Sequence, residues 1–306
     1  MKKDVDSMTE KKVREIAQKN GIELSDKPLK FNESGLDFSV VIAEDKAGQK
    51  WVLRFPRRED VIGSAKKEKK ALDLIAGHIS VQVPRWTVLT NELIAYKLLN
   101  GVPAGTIDPE AKAYIWELDE KNLPKEFTKS LAEALVSLHQ IDSKEATAAG
   151  LTVESAEEAR LQMKKRMDHV KAEFGMGEEL WARWHAWLKD ESLWPKKTGL
   201  IHGDLHAGHI LIDSNSKVTG FIDWTEAAVT DIANDFVGHY RIFGEEALES
   251  LIAHYKEAGG YVWPNMAKHV MELAAAYPVA IAEFALKSGI GEYIQMAKQV
   301  LGVLEE

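Results

Sequence analysis

The residues from His202 to Trp224 hold the densest set of side chains that could act on a phosphate group. Asp204 lies in a predicted loop beside a glycine, and His209 follows five residues later at the start of a β-rich run. Asp223 ends a second β-rich run, so a short hairpin would bring His209 and Asp223 to one side. Because Mg²⁺ is usually held by one or two carboxylates together with phosphate oxygens, this arrangement suits a metal–phosphate site.

The elements that must position these residues change in character along the chain. The first hundred residues predict helices at 9–19 and 64–76 and strands at 38–42, 50–55, 87–89 and 93–98. The rest predicts helices at 127–139, 156–174, 178–189, 245–258 and 263–301, the last with breaks at Pro278 and Gly289, and strands at 209–213 and 218–223. We therefore predict an α+β fold with a small sheet-containing N-terminal lobe at 1–98 and a larger, mainly helical lobe at 99–306.

Composition excludes several classes of protein. The chain of 306 residues has a formal net charge of -9, which speaks against a nucleic-acid binder. It contains no cysteine, so disulfides, thiolate zinc sites and cysteine nucleophiles are excluded. No targeting segment is evident, and the apolar stretch at 274–286 is too short to span a bilayer. We expect a cytoplasmic protein without membrane contact.

A metal-dependent hydrolase is an alternative that the same residues allow. His202, Asp204, His206 and His209 form a dense set of potential ligands for a metal that activates water. His206 fits a position facing the substrate and a position facing solvent equally well. A hydrolase, however, leaves the phosphate-binding candidates elsewhere in the chain without a role.

The pattern His-Gly-Asp-Leu-x-x-Gly-His at 202–209, followed by Ile-Asp-Trp at 222–224, resembles the catalytic loop of kinase-fold enzymes. Protein kinases have asparagine where this chain has His209, and histidine there resembles the macrolide 2′-phosphotransferases, within the aminoglycoside-phosphotransferase-like family. Further segments agree with these macrolide kinases in order and spacing: 32–38, 51–58, 83–86, 92–96, 222–227, 243–246 and 255–264. The resemblance implies a bilobal, protein-kinase-like fold with an antiparallel sheet in the N-terminal lobe.

The resemblance also implies a nucleotide site. Arg54 stands where protein kinases have their phosphate-pairing lysine, and Glu68 would orient it. The turn containing Ser34 and Gly35 would cover the phosphates. The backbone from Tyr96 to Leu98 would contact the edge of the base, and the floor of the base pocket would be formed by Leu211 and Ile222. GTP is the implied donor, with ATP possible, and Mg²⁺ would be held by His209 and Asp223.

For the substrate, the resemblance implies transfer of the γ-phosphate to the 2′-hydroxyl of a macrolide, with Asp204 as catalytic base and Asp235 bonded to the backbone of the catalytic loop. The implied substrate contacts are Asp204, His206, Asp231, Tyr277 and Phe284. An aminoglycoside or a choline-like alcohol is the alternative substrate, but the late helices are mainly apolar and suit a large apolar molecule with one amine better. That amine could pair with Glu272, Glu283, Asp204 or Asp231. We expect the enzyme to act as a monomer.

Overall fold

The computed structural model describes residues 8–33, 35, 37–108, 111 and 113–303. Its N-terminal part is built around an antiparallel sheet in which the described strands follow the order β1-β2-β3-β5-β4. These strands are β1 (Lys30–Asn32), β2 (Phe38–Glu44), β3 (Lys50–Pro56), β4 (Trp86–Leu89) and β5 (Ile94–Lys97). The predicted strands are confirmed, and the structure adds β1 along the edge of β2.

One helix packs on each face of this sheet. Successive side chains of β3 point to opposite faces, so neighbouring residues of β3 contact different helices. Leu53 packs with Val13 of helix α1 (Glu10–Lys19). Val52 joins the separate core that contains helix α2 (Val61–Ile75). Arg54 is two residues from Val52, so it lies on the α2 face as well.

A short β-rich segment, which sequence analysis missed, connects the sheet to the helices. It contains β6 (Val102–Pro103), β7 (Gly105–Asp108) and β8 (Ala113–Trp116). β7 and β8 form an antiparallel hairpin in which Gly105 pairs with Trp116 and Ile107 pairs with Tyr114. The alternation of β-branched and aromatic residues here is a strand signal that could have predicted it.

The C-terminal part is mainly helical. Its described helices are α3 (Lys125–His139), α4 (Ser143–Ala148), α5 (Ala156–Phe174), α6 (Glu178–Lys189), α7 (Asn234–Glu257), α8 (Met266–Ala275), α9 (Tyr277–Ser288) and α10 (Gly291–Val300). Short strands lie among them: β9 (Gly199–Ile201), β10 (Ile210–Ile212), β11 (Val218–Phe221) and β12 (Ala228–Thr230). The predicted α+β fold, with its N-terminal antiparallel sheet and helical C-terminal part, is confirmed.

Two predicted helices had wrong limits. The helix predicted to begin at residue 245 begins at Asn234. The glycines at 238 and 244 weakened the helical pattern of the sequence, so the first turns were missed. Gly244, with φ of 83°, interrupts the helix. The helix expected from residue 263 begins at Met266 and breaks at Ala276. Pro278 does not end a helix here: it lies in the first turn of α9, where no amide donor is needed.

Helices α8 and α9 together make a run of 23 residues that is long and apolar enough to cross a membrane by length and composition alone. In the fold the run is interrupted at Ala276, and its acidic side chains are ion-paired. Glu272 lies 2.9 Å from Arg183 of α6, and Glu283 lies 2.7 Å from Arg166 of α5. The run therefore makes polar contacts with two other helices of the same chain.

Helix α7 touches the loop at 202–209 through a glycine. A Cβ atom at position 238 would lie 2.2 Å from the carbonyl oxygen of Leu205, which is far inside van der Waals contact. The absence of a side chain at Gly238 therefore sets how closely α7 approaches this loop.

We expect Gly238→Ala to lower the free energy of unfolding by about 1–3 kcal/mol, the usual cost of overpacking. Gly63 of α2 is the matched control, because a Cβ there would meet no atom within 4 Å. Gly63→Ala should cause no loss and a gain of up to about 1 kcal/mol. Urea unfolding measures both variants, and equal losses would contradict the close approach at Gly238.

Candidate active site

The loop from His202 to His209 is held by one buried carboxylate, that of Asp235 at the start of α7. Its Oδ2 accepts a hydrogen bond from the His202 amide at 2.8 Å, and its Oδ1 accepts one from the Gly203 amide at 2.9 Å. His139 of α3 donates to Oδ2 at 3.1 Å. Burial opposes ionisation of Asp235, but the His139 contact and these amides favour the carboxylate, so its pKa lies below the ordinary value. The expected hydrogen bonds between the loop backbone and Asp235 are confirmed.

The side chain of His202 fixes the interior of the loop. It is fully buried, its Nε2 donates to the Ile222 carbonyl at 3.0 Å, and its Nδ1 accepts from the Asp204 amide at 3.3 Å. Burial lowers the pKa of His202, so the ring is neutral. The next residue must be glycine, because Gly203 has φ of 86° and a Cβ there would lie 2.5 Å from the Glu226 carbonyl oxygen.

The three residues that the sequence places at the centre of the chemistry lie side by side. His209 Nδ1 is 2.8 Å from the Asp204 carbonyl oxygen and 3.6 Å from Asp204 Oδ2. Because a carbonyl only accepts, Nδ1 carries a proton, and Nε2 lies 3.8 Å from Asp223 Oδ2. The Asp204 side chain is 59% exposed, so a substrate can reach its carboxylate.

His209 and Asp223 lie close enough to bind one divalent cation together after a small shift. At metal–ligand bonds of about 2.1 Å, two neighbouring ligands of an octahedral ion stand about 3.0 Å apart, so the observed 3.8 Å separation would shorten by about 0.8 Å to reach that spacing. Burial would raise the pKa of Asp223, but His209 and Arg54 hold it below the ordinary value, so a carboxylate is available. Asp223 also has φ of 64°, a conformation that non-glycine residues adopt rarely and often at functional sites.

A second set of potential ligand atoms, from Asp204, His206 and His209, lies within 4.8 Å. The His206 Nδ1 already accepts a backbone amide hydrogen bond at 3.0 Å and lies 3.4 Å from the Tyr114 hydroxyl. Burial and the nearby His209 lower the pKa of His206 to about 4, so the ring is neutral at pH 7. Both ring nitrogens of His202 are bonded, so the structure brings together three of the four candidate ligands of the hydrolase alternative, Asp204, His206 and His209, without His202.

Arg54 connects the N-terminal sheet to this site. Its guanidinium donates to Glu68 of α2 at 2.9 Å, so the expected orienting contact is present, and the pair is buried rather than at the surface. Glu68 also accepts a hydrogen bond from the Trp224 amide, directly after Asp223. Burial would lower the pKa of Arg54, but Glu68 raises it above the ordinary value. The pair therefore joins α2 and β3 to the residue that follows Asp223.

Two arginines contact described residues of the segment 32–38, which was predicted to cover the phosphates. Arg57 donates to the Gly35 carbonyl at 3.0 Å and is ion-paired with Glu33. Arg58 lies 2.7 Å from Asp37. Sequence analysis gave Asp37 no role, and the structure shows that its charge balances Arg58 at the end of the turn.

The remaining predicted nucleotide residues fall in different surroundings. Ser34 lies outside the described residues. Tyr96 is buried, which raises its pKa to about 12, and it pairs with both neighbouring strands. The Leu98 amide donates to a β3 carbonyl at 2.9 Å. This amide is therefore already bonded within the sheet, and its predicted contact with the edge of the base is not supported. Leu211 is buried. Ile222 is half-buried, and its amide donates a hydrogen bond to the His209 carbonyl.

The predicted substrate residues are only partly brought together. Asp231 is buried, and its carboxylate accepts a hydrogen bond from His269 at 2.6 Å, so it has a partner within the core. Phe284 packs edge-on against Tyr293 of α10 with ring centroids 4.8 Å apart. Tyr277, by contrast, is 43% exposed. The carboxylates of Glu272 and Glu283 are occupied by the arginines described above.

Sequence analysis missed an aromatic wall beside Asp204. Tyr114 and Trp116 of β8 stack with centroids 4.7 Å apart, and Trp116 lies 5.4 Å from Phe243 of α7. Arg241 of α7 lies 3.7 Å above the ring of Tyr277. Burial and the negative charge of Asp204 raise the pKa of Tyr114, with Arg241 opposing them, so these groups share one electrostatic environment. No signal in the sequence connected residues so far apart in the chain.

Comparisons with known proteins agree with this geometry. The model of the phosphotransferase enzyme family matches residues 28–269. The uncharacterized protein YcbJ of Bacillus subtilis (strain 168) is 43% identical over 291 residues, which cover 95% of each chain. Among solved structures, macrolide 2′-phosphotransferase type I is 38% identical, with a TM-score of 0.88 and coverage of 97% of this chain and 99% of that one. Macrolide 2′-phosphotransferase MphH from Brachybacterium faecium, as the apoenzyme, is 35% identical, with a TM-score of 0.89 and coverage of 96% and 99%.

We expect Asp235→Asn to lower the free energy of unfolding at pH 7 by about 2–4 kcal/mol, since an amide cannot accept from both loop amides and from His139. The folded-state pKa of Asp235 lies below its ordinary value of 3.8, so the stabilisation is present above that pH and is lost as the pH falls through the folded-state pKa. The difference between variant and parent should therefore shrink below about pH 4. Urea unfolding across pH measures it.

Asp213→Asn is the control for this prediction. Asp213 also accepts two backbone hydrogen bonds, from Asn215 and Lys217, but in the exposed turn between β10 and β11. We expect a loss of less than about 1 kcal/mol there. Similar losses in the two variants would show that the Asp235 carboxylate has no special part in holding the loop.

Proposed function

We propose a reaction for this chain, which belongs to the phosphotransferase enzyme family and is a small-molecule kinase: it transfers the γ-phosphate of a nucleotide to the 2′-hydroxyl of macrolide antibiotics. The observation that carries the proposal is the exposed Asp204 carboxylate, fixed by its loop beside His209 and Asp223. The full-length similarity to two macrolide 2′-phosphotransferases supports the choice of substrate.

Asp204 acts on the acceptor hydroxyl. Its carboxylate orients the hydroxyl and takes its proton as the oxygen forms a bond to the γ-phosphorus. The bond between that phosphorus and the β–γ bridging oxygen breaks, and the nucleoside diphosphate leaves with its electron pair. The hydrogen bonds that the loop amides donate to Asp235 hold Asp204 in place, which lets positioning contribute to the rate.

The donor side of the site is formed by residues from both parts of the chain. In this proposal residues 1–98 form the nucleotide-binding lobe, Arg54 contacts a phosphate, and GTP is the preferred donor with ATP as the alternative. His209 and Asp223 would hold Mg²⁺, which when bound neutralises charge on the phosphates. Imidazole is a less usual Mg²⁺ ligand than oxygen, so Asp223 is the stronger of the two ligands.

The acceptor side favours a large apolar molecule over a polycation. Tyr114, Trp116 and Tyr277 offer aromatic surface near Asp204, whereas Glu272 and Glu283 are already paired with arginines. A macrolide can cover this aromatic surface with its apolar ring and needs an anionic partner for only one amine. Of the acids considered for that amine, Asp204 is the exposed one. We further propose that the enzyme works as a monomer in the cytoplasm and confers macrolide resistance.

We expect Asp204→Asn to lower kcat for erythromycin phosphorylation by about 10²–10⁴-fold, because the change removes the base while keeping the shape of the side chain. Binding of GTP, measured by calorimetry, should not change. Asp213→Asn, at the other end of the β10–β11 hairpin, should keep normal turnover. Near-normal turnover by the Asp204 variant would refute its assignment as the base.

His209→Ala and Asp223→Ala should each reduce the effect of Mg²⁺ on GTP affinity, since each removes a side chain from the site where the ion would meet the phosphates. Calorimetry with and without Mg²⁺ measures this effect, and His254→Ala on α7 is the control. An unchanged Mg²⁺ effect in both site variants would contradict the assignment. Tightly bound zinc together with nucleotide-independent hydrolysis would favour the hydrolase instead.

A further inference from the structure

The segment at 255–264 has no part in the site described above, although its sequence pattern is among the most distinctive in the chain. Tyr255 lies in the last turn of α7 and is only 1% exposed. The two glycines that follow let the chain turn back against its ring. Gly259 has φ of 92°, and a Cβ at Gly260 would lie 2.2 Å from the Tyr255 ring. The segment therefore holds one tyrosine ring in a fixed place in the core.

The hydroxyl of Tyr255 belongs to a chain of buried hydrogen bonds that ends at the catalytic loop. It accepts the backbone amide of Tyr261 and lies 2.9 Å from Nδ1 of His139. The other ring nitrogen of His139, Nε2, lies 3.1 Å from Asp235 Oδ2. The same Oδ2 accepts the His202 amide of the loop at 2.8 Å. The chain thus connects the end of α7, through α3, to the residues that precede Asp204.

The chemistry of the partners gives this chain a direction. A carboxylate only accepts, so Nε2 of His139 must carry a proton to bond with Asp235. Burial, together with the negative charge of Asp235, raises the pKa of Tyr255, so its hydroxyl keeps a proton that it can donate. Because the Tyr255 oxygen already accepts the Tyr261 amide, Nδ1 of His139 is the partner placed to receive that proton.

We propose that Tyr255 is a positioning residue for phosphoryl transfer: its hydroxyl donates to Nδ1 of His139 and so keeps the proton of that ring on Nε2, where it holds Asp235 against the catalytic loop. The proposal rests on the proposed function, in which Asp204 of this loop is the base. Without the hydroxyl the proton can move to Nδ1, and a lone pair of Nε2 then faces the carboxylate. Asp235 would lose one of its three donors, and the loop would be held less firmly.

The first test compares Tyr255→Phe with Tyr261→Phe. We expect Tyr255→Phe to lower kcat for erythromycin about tenfold while KM for erythromycin and for GTP stays within about twofold, because the buried ring acts on alignment and touches neither substrate. Tyr261→Phe is the matched control: it removes a hydroxyl that accepts the Lys196 amide at 3.0 Å but keeps the backbone amide that contacts Tyr255. Its kcat should stay within about twofold of the parent. Urea unfolding checks that both variants fold.

Two further measurements do not depend on the identity of the substrate. Nitrogen-15 NMR of the unsubstituted enzyme should show His139 protonated on Nε2 and unprotonated on Nδ1. Amide hydrogen exchange at His202 and Gly203 should be faster in Tyr255→Phe than in the parent, and unchanged in Tyr261→Phe. A role of Tyr255 in packing alone would leave the tautomer of His139 unselected.

His139→Gln separates the choice of tautomer from the hydrogen bond itself. A carboxamide has no tautomer to select, and its NH2 group can donate to Asp235 without help from Tyr255. We expect this variant to keep kcat within about threefold of the parent, and addition of Tyr255→Phe to it to lower kcat less than about twofold further.

Three results would overturn the proposal: a proton on Nδ1 of His139 in the unsubstituted enzyme, an unchanged kcat in Tyr255→Phe, or a loss from Tyr255→Phe that is as large in the His139→Gln background as in the parent. Failure of the unsubstituted enzyme to phosphorylate any macrolide would instead overturn the proposed function. In that case the nitrogen-15 and hydrogen-exchange measurements decide whether Tyr255 holds the loop.

Discussion

The carboxylate of Asp235 sets the position of the loop on which the chemistry depends. It is buried, and it accepts hydrogen bonds from two consecutive loop amides and from a histidine of another helix. Unpaired amides in such surroundings would cost about 1–3 kcal/mol each, so the loop has one favourable conformation. That conformation turns the Asp204 side chain outward and brings His209 towards Asp223. Gly203 and Gly238 make the same arrangement sterically possible.

A second interaction joins the two parts of the molecule. Glu68 contacts Arg54 within the N-terminal part and the Trp224 amide in the C-terminal part. A buried ion pair of this kind is weak evidence for stability, because desolvation offsets much of the attraction. Its value here is geometric: the guanidinium that would meet a phosphate and the carboxylate that would hold the metal are fixed relative to each other. Phosphoryl transfer depends mainly on such positioning.

The sequence predicted the residues whose roles follow from their chemistry and local spacing. Asp204, His209 and Asp223 lie within one loop and one hairpin, so a short-range pattern was enough to bring them together. The Arg54–Glu68 pair and the hydrogen bonds of Asp235 came from the resemblance to kinase-fold enzymes. The fold class followed from the change from strand to helix patterns, although glycines obscured the start of α7.

The acceptor side could not be predicted in the same way, because it is made by tertiary packing. Tyr114, Arg241 and Tyr277 are distant in sequence, and only the packing of β8, α7 and α9 brings them near one another. Asp231 and Phe284 were assigned to the substrate from their residue types and from the resemblance. In the fold one is bonded to His269 and the other packs against Tyr293, which are contacts that no local pattern specifies.

The central claim, phosphorylation of a macrolide by this site, is tested most directly by the product. The unsubstituted enzyme is incubated with GTP, Mg²⁺ and either erythromycin or kanamycin, kcat/KM is measured for each drug, and the phosphate is located by mass and by phosphorus–proton correlation NMR. We predict a phosphate on the 2′-oxygen of erythromycin and a kcat/KM for kanamycin at least about 100-fold lower. Comparable kcat/KM values for the two drugs, or a phosphate on another oxygen of erythromycin, would contradict the account.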